Sequence, residues 1–86
     1  MKNGLEVDEF GNKVWFLNGK LHRVDGSAAE NADGSKAWYL NGNLHRVDGP
    51  AIEYVGGYKA WYLNGKRLNC ETQEEFEQYK RLKAFW

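Results

Sequence analysis

The side chains best equipped for chemistry fall in one short motif that occurs twice. H-R-V-D-G supplies His22, Arg23 and Asp25, and again His45, Arg46 and Asp48. Three kinds of chemistry fit such a cluster. A histidine beside an aspartate can serve as an oriented general base. An arginine beside a histidine, in a chain rich in tyrosine, can hold a phosphate or carboxylate against an aromatic wall. The third reading is structural. Asp25 and Asp48 accept backbone amides in Asp-Gly turns, Arg23 and Arg46 pair with these or neighbouring carboxylates, and the imidazoles brace the next stretch of chain. No serine or cysteine nucleophile recurs with the motif, and a single active site has no need of two copies, so the chain does not read as an enzyme. The likeness to a kinase H-R-D loop fails because Val24 or Val47 intervenes and no glycine-rich phosphate loop is present. The lone Cys70 lies far in sequence from both histidines, without zinc-ligand spacing, and reads as a small, partly buried thiol. Glu71, Glu74, Glu75 and Glu77 gather where a helix begins, which is where carboxylates are favoured. No metal and no cofactor is expected.

The elements that position the motif follow from a longer repetition. Trp15, Trp38 and Trp61 stand at equal intervals of 23 residues, and K-A-W-Y-L-N-G at 36–42 returns at 59–65. Units are expected at about 13–35, 36–58 and 59–71 of a single domain spanning 1–86. Within a unit, a β-favouring run enters Asn-Gly, the dipeptide of the two-residue hairpin turn. A return strand follows, Asn43–Arg46 in the second unit. Asp48-Gly49-Pro50 breaks the ladder, Ala51–Val55 forms a third strand, and Gly56-Gly57 turns into Tyr58–Leu63. The fold class is therefore mainly β, an antiparallel meander of 23-residue hairpin units stacked into one continuous sheet.

Alternation along the strands assigns the faces. Trp15/Leu17, Trp38/Leu40 and Trp61/Leu63 share one face, expected to be core; Phe16, Tyr39 and Tyr62 share the other. Tyrosine hydroxyls favour water, so the second row is the expected contact surface, with Arg23, Arg46, His22 and His45 as further binding candidates. From Thr72 the pattern T-x-x-E opens a helix expected over 73–85, with Phe76, Tyr79, Leu82, Phe85 and Trp86 as its buried stripe. This helix caps the array where the third unit loses H-R-V-D-G. It cannot roof both faces, so a homodimer is expected, through the aromatic row or through an edge strand near Leu5–Phe10.

Composition narrows the partners. Twelve basic and twelve acidic residues cancel, removing the positive field that accompanies nucleic-acid binding. No apolar run approaches the ~20 residues of a membrane span, and Met1–Phe10 does not read as a signal segment. A cytoplasmic protein is expected, without membrane or nucleic-acid partners.

W-F-L-N-G-K-L-H-R-V-D-G-S-A at 15–28 and W-Y-L-N-G-N-L-H-R-V-D-G-P-A at 38–51 resemble the W-Y-x-N-G-x-x-H-R-x-D-G-P-A repeat of small bacteriophage, large-virus and bacterial proteins, a group similar to variant MORN repeats. Ser27 replaces the proline, Asn31 and Ala32 stand where the next unit has Tyr54 and Val55, and the third unit lacks the polar motif. The first two changes predict a less regular middle strand in the first unit. The resemblance implies a β-repeat scaffold and a viral setting, hence host cytoplasm, without an agreed activity. The leading expectation is a non-enzymatic protein-interaction module, in a phage an inhibitor of a host defence complex. The alternative is a nucleotide- or phosphate-binding protein using the Arg, His and Tyr positions.

Overall fold

The computed structural model describes residues 1–83, and in them the chain is mainly β with one C-terminal helix. The strands are β1 (Gly4–Val7), β2 (Lys13–Leu17), β3 (Lys20–Leu21), β4 (Ala29–Glu30), β5 (Lys36–Ala37) and β6 (Tyr39–Leu40), then β7 (Asn43–Leu44), β8 (Ile52–Glu53), β9 (Lys59–Ala60), β10 (Tyr62–Leu63) and β11 (Lys66–Arg67). Helix α1 spans Gln73–Lys83. All pairings are antiparallel.

The single continuous sheet expected from the sequence is divided. The main sheet runs β1-β2-β4-β5-β8-β9 with β3 beside β2, while β6-β7 and β10-β11 are separate hairpins. The division falls at Trp38 and Trp61. In the first unit β1 pairs along almost the whole of β2, from Gly4 opposite Phe16 to Val7 opposite Lys13, and holds it straight. The later units have no such companion. Lys36 and Ala37 pair with β8, and beyond Trp38 the Tyr39 carbonyl accepts Arg23 N–H of the preceding unit instead. Strands are accordingly shorter than the sequence suggests, with Asn43–Leu44 in place of Asn43–Arg46 and Ile52–Glu53 in place of Ala51–Val55.

Each hairpin turns through Asn-Gly, with φ of 51° and 77° at Asn18-Gly19, 51° and 82° at Asn41-Gly42, and 52° and 80° at Asn64-Gly65. Two successive positive φ values give the turn whose twist matches that of the strands, which is why Asn and Gly occupy it. At the opposite edge, turns at Asp8–Asn12, Asn31–Ser35 and Tyr54–Tyr58 close with the same pair of backbone hydrogen bonds. Asn31 and Ala32 therefore do not disturb the first unit: β4 pairs with β5 as β8 pairs with β9. The Asp8 carboxylate accepts the Asn12 side-chain amide and the backbone N–H groups of Asn12 and Phe10, which hold its pKa below the usual value.

The core is small and lies at one end. Trp61, Leu68 and Phe76 are buried together, with Leu63, Cys70 and Tyr79 packed around them; Ala28, Ala51 and Ala60 are buried as well. The expected Trp/Leu core row holds only in the third unit. Trp15 and Trp38 are half-buried and Leu17 is 42% exposed, because α1 roofs Trp61 alone. At the start of α1, Thr72 Oγ1 accepts Glu75 N–H and the Glu75 carboxylate accepts Glu71 N–H, a capping box displaced by one residue. Leu82, assigned to the buried stripe, is 64% exposed, while Phe85 and Trp86 lie outside the described residues. Burial, with the charge of Glu75 adding to it, pushes the Cys70 thiol up and keeps it protonated at neutral pH.

Replacing Gly42 by valine should cost about 1–3 kcal/mol, because a β-branched residue is forced to positive φ. An added Cβ meets nothing closer than 3.7 Å, so the cost is in the backbone. Urea titration checks this; an unchanged midpoint would contradict the turn assignment.

Candidate functional site

The two H-R-V-D-G motifs lie side by side on the Trp/Leu face, at the ends of the β2-β3 and β6-β7 hairpins. In each, the arginine lies flat on the tryptophan of its own unit. Arg23 Cζ is 3.8 Å from the centre of the Trp15 ring and Arg46 Cζ is 3.7 Å from that of Trp38. A cation so close over an indole gains electrostatically from the ring and desolvates it on one side. Against the guanidinium also lies the chain's own glycine: a Cβ on Gly49 would come within 3.1 Å of Arg46 Cζ, and one on Gly26 within 3.1 Å of Arg23 Cζ. Glycine is required here for close approach, not for an unusual φ.

Nε and Nη1 of each guanidinium are engaged by the chain's own acceptors. Arg46 Nε donates to Asp48 at 2.8 Å, and Nη1 donates to the Pro50 carbonyl at 3.1 Å and to Glu53 at 3.0 Å. Arg23 repeats this on Asp25, the Ser27 carbonyl and Glu30 at 3.1, 3.1 and 3.5 Å. The longer last contact has a cause in the sequence: Ser27, standing where Pro50 stands, donates its hydroxyl to Glu30 at 2.6 Å and draws that carboxylate away. The expectation that Asp25 and Asp48 accept turn amides is corrected. Both carboxylates face their unit's arginine, whose charge outweighs a neutral amide as a partner.

The histidines work outward, as the bracing alternative expects. His22 Nδ1 accepts Asn41 N–H and His45 Nδ1 accepts Asn64 N–H, each at 2.9 Å, so each imidazole holds the Asn-Gly turn of the following unit. An acceptor Nδ1 places the ring proton on Nε2. Backbone bonds run in parallel: Gly42 N–H to the Leu21 carbonyl and Gly65 N–H to that of Leu44, both at 2.8 Å. The sequence reading missed the same device at the N-terminus. Gly19 N–H donates to the Lys2 carbonyl and Asn18 N–H to the Asn3 side chain, so Lys2-Asn3 stands in for Leu-His ahead of the first unit. The signal was a lone Asn3 without any repeated motif around it.

Neither histidine is paired with Asp25 or Asp48, so no oriented base is assembled. Every buried side-chain nitrogen and oxygen among the described residues has a hydrogen-bond partner, and among them no three acidic, His or Cys side chains gather as metal ligands. No helix there is long and apolar enough to cross a membrane.

The remaining candidates lie on the other face of the hairpins. Phe16, Tyr39 and Tyr62 are each half-buried, opposite Leu21, Leu44 and Arg67 in register. Lys2 Nζ lies 5.3 Å from the Phe16 ring. Neither tyrosine hydroxyl has a protein hydrogen-bond partner among the described residues. The structure thus separates two groups that the sequence placed in one site: the Arg/His clusters on one face and the aromatic row on the other.

Arg46→Lys should lose about 1–3 kcal/mol, since an ammonium cannot reproduce the flat fork that reaches two carboxylates and a carbonyl. The exposed Arg67→Lys should be neutral by comparison. Denaturant unfolding of the two variants checks the difference, and equal stability would contradict the clamp.

Neither a family model, nor a curated protein, nor a solved structure matches this chain.

Proposed function

We propose that the protein is a non-enzymatic protein-interaction module whose contact surface is the row Phe16, Tyr39 and Tyr62. In the viral setting implied by the repeat's resemblance to phage proteins, such a module acts as an inhibitor of a host defence complex in the host cytoplasm. One observation carries the reading. The polar side chains that could do chemistry are occupied in joining the units, whereas three aromatic rings 23 residues apart stand half-buried with both tyrosine hydroxyls unpartnered. Aromatic side chains of this kind supply large contact area at low entropic cost and are enriched at protein interfaces. The same row offers a second copy of the chain a self-complementary surface, which supports the expected homodimer.

Nucleotide or phosphate binding is less well supported. An incoming anion would meet guanidinium groups already engaged by two carboxylates each, with Asp25 and Asp48 exposed beside them. Displacing those carboxylates would cost the contacts that hold each unit.

The substitution Tyr39→Glu separates these readings. It should keep the circular dichroism spectrum, lower the mass seen by light scattering at micromolar concentration from dimer to monomer, and weaken capture of any protein partner by tenfold or more. Thermal melts with ATP, GTP or inorganic phosphate should not move. Retained dimer mass together with undiminished capture would overturn the proposal. So would a nucleotide-dependent rise, since a ligand at 100 times its dissociation constant adds about 2.7 kcal/mol.

A further inference from the structure

A groove of about 630 Å³ lies between the two polar motifs, walled by Arg23–Gly26 on one side and by His45–Asp48 on the other, with Trp38 and Leu40 in its floor. Val24 and Val47 stand on its rims 82% and 57% exposed. Its position acquires meaning from the next unit. Moved on by one interval of 23 residues, the floor becomes Trp61 and Leu63, the far wall becomes Leu68 onward, and the near wall becomes residues 46–49. That equivalent groove is filled, and what fills it is α1.

The contacts of α1 show how the groove takes a helix. Phe76 lies against Trp61 with ring centres 6.5 Å apart, and Tyr79, like Leu63, packs against the cluster of Trp61, Leu68 and Phe76. Lys80 Nζ donates to the Val47 carbonyl, Gln73 Nε2 reaches the Asp48 carbonyl at 3.5 Å, and Trp61 Nε1 donates to Gln73 at 3.0 Å. The corresponding acceptors one unit earlier are the carbonyls of Val24 and Asp25, and neither has a hydrogen-bond partner among the described residues. One difference sets the depth of the open groove. Arg46 already covers Trp38, in the place where Phe76 covers Trp61, so the deepest position is occupied and the floor that remains is Leu40. The rim carries the exposed carboxylates of Asp25 and Asp48, which favour a cation.

We infer that this groove is a docking site for an amphipathic helix of a protein partner, one that lays a large apolar side chain on Leu40 between Val24 and Val47 and brings an adjacent lysine or arginine to the Val24 carbonyl and Asp25. The pair Tyr79-Lys80 of α1 is the pattern for that contact. The inference rests on the interaction-module reading in requiring a protein partner, but it concerns the face opposite Tyr39 and a partner of stated chemistry. Helix-in-groove recognition through a few anchors is a common mode for such partners. With the deepest position already filled, the affinity is modest.

The test titrates the 15N-labelled protein with a lactam-bridged helical peptide copying residues 72–83. Saturable shifts should appear at the Val24, Asp25 and Val47 amides with a dissociation constant below ~1 mM. A control peptide with the positions of Tyr79 and Lys80 changed to Ala and Glu should bind at least tenfold more weakly. The protein variant Val24→Asp, at a side chain exposed enough to leave the fold intact, should bind the first peptide at least tenfold more weakly, and Tyr39→Glu should bind it as the parent does. Absence of saturable shifts to 1 mM would overturn the inference. Shifts confined to Trp61 and Phe76 would do the same, by showing exchange with α1. Equal shifts on concentrating the protein alone would also overturn it, by showing a second copy in the groove. The first two outcomes leave the effect of Tyr39→Glu on association untouched, and the third is told apart because a dimer formed through the groove would keep its mass in Tyr39→Glu, so failure of this inference and failure of the aromatic-row proposal are distinguishable.

Discussion

The rest of the structure depends on the guanidinium held between a tryptophan ring and a glycine backbone. A slab whose Cα atoms extend 43 × 30 × 17 Å has little interior, and its buried aromatic cluster occupies only the C-terminal end. Elsewhere the stiffness comes from Arg23 and Arg46. Each lies on the tryptophan of the strand, donates to the aspartate of its own loop, and reaches forward to the Ser27 or Pro50 carbonyl and to a glutamate of the next strand. The backbone N–H of the same residue donates to the following unit's tyrosine. One residue thus ties three segments, with most of its donors satisfied by groups the chain supplies. Partial burial makes these charge-assisted bonds stronger than surface ion pairs, while their number limits the desolvation penalty.

Histidine completes the arrangement by carrying it to the next unit, and the segments on either side of the two motifs show what takes its place where the motif is absent. At the N-terminus, Lys2 and Asn3 supply the carbonyl and side-chain acceptor that Leu-His supplies elsewhere, so the first Asn-Gly turn is held like the others. In the third unit, Leu68 keeps the backbone bond to Trp61 that His45 makes to Trp38, but the arginine is gone and Phe76 packs against the ring instead. Polar fastening gives way to an apolar cap. The edge strands are short or charged: β9 has two residues and β1 carries Glu6, which discourages open-ended pairing.

Much of this was legible in the residues. Asn-Gly at equal phase specified the hairpins, and T-x-x-E with a graded charge pattern specified the helix, because both signals are local. The separation of the sheet at Trp38 was not legible, since it arises from the lack of a long neighbour beside β5 and β6, a property of the assembled fold. The same holds for Asp25 and Asp48. Asp-Gly is a turn signal by itself, and only the approach of Arg23 and Arg46 in space shows that the glycine makes room for a guanidinium and the aspartate faces it. Trp15 and Trp38 looked like core from alternation alone; the arginines that cover them come from eight residues further on. Placement of the Arg/His clusters and the aromatic row on opposite faces also needed the fold, although the alternation of Trp38, Tyr39 and Leu40 already pointed to it.

The repeated polar motif is an internal clamp. Side-chain NMR of the arginines tests it most directly. Arg23 and Arg46 should show Nε–Hε signals shifted upfield by the indole rings, with separate Nη signals from slowed rotation of a guanidinium fixed on both edges, whereas the exposed Arg67 and Arg81 should show averaged signals. Averaged, unshifted signals from Arg23 and Arg46 would mean that the guanidinium groups are free, and would return the motif to the list of sites open to a ligand.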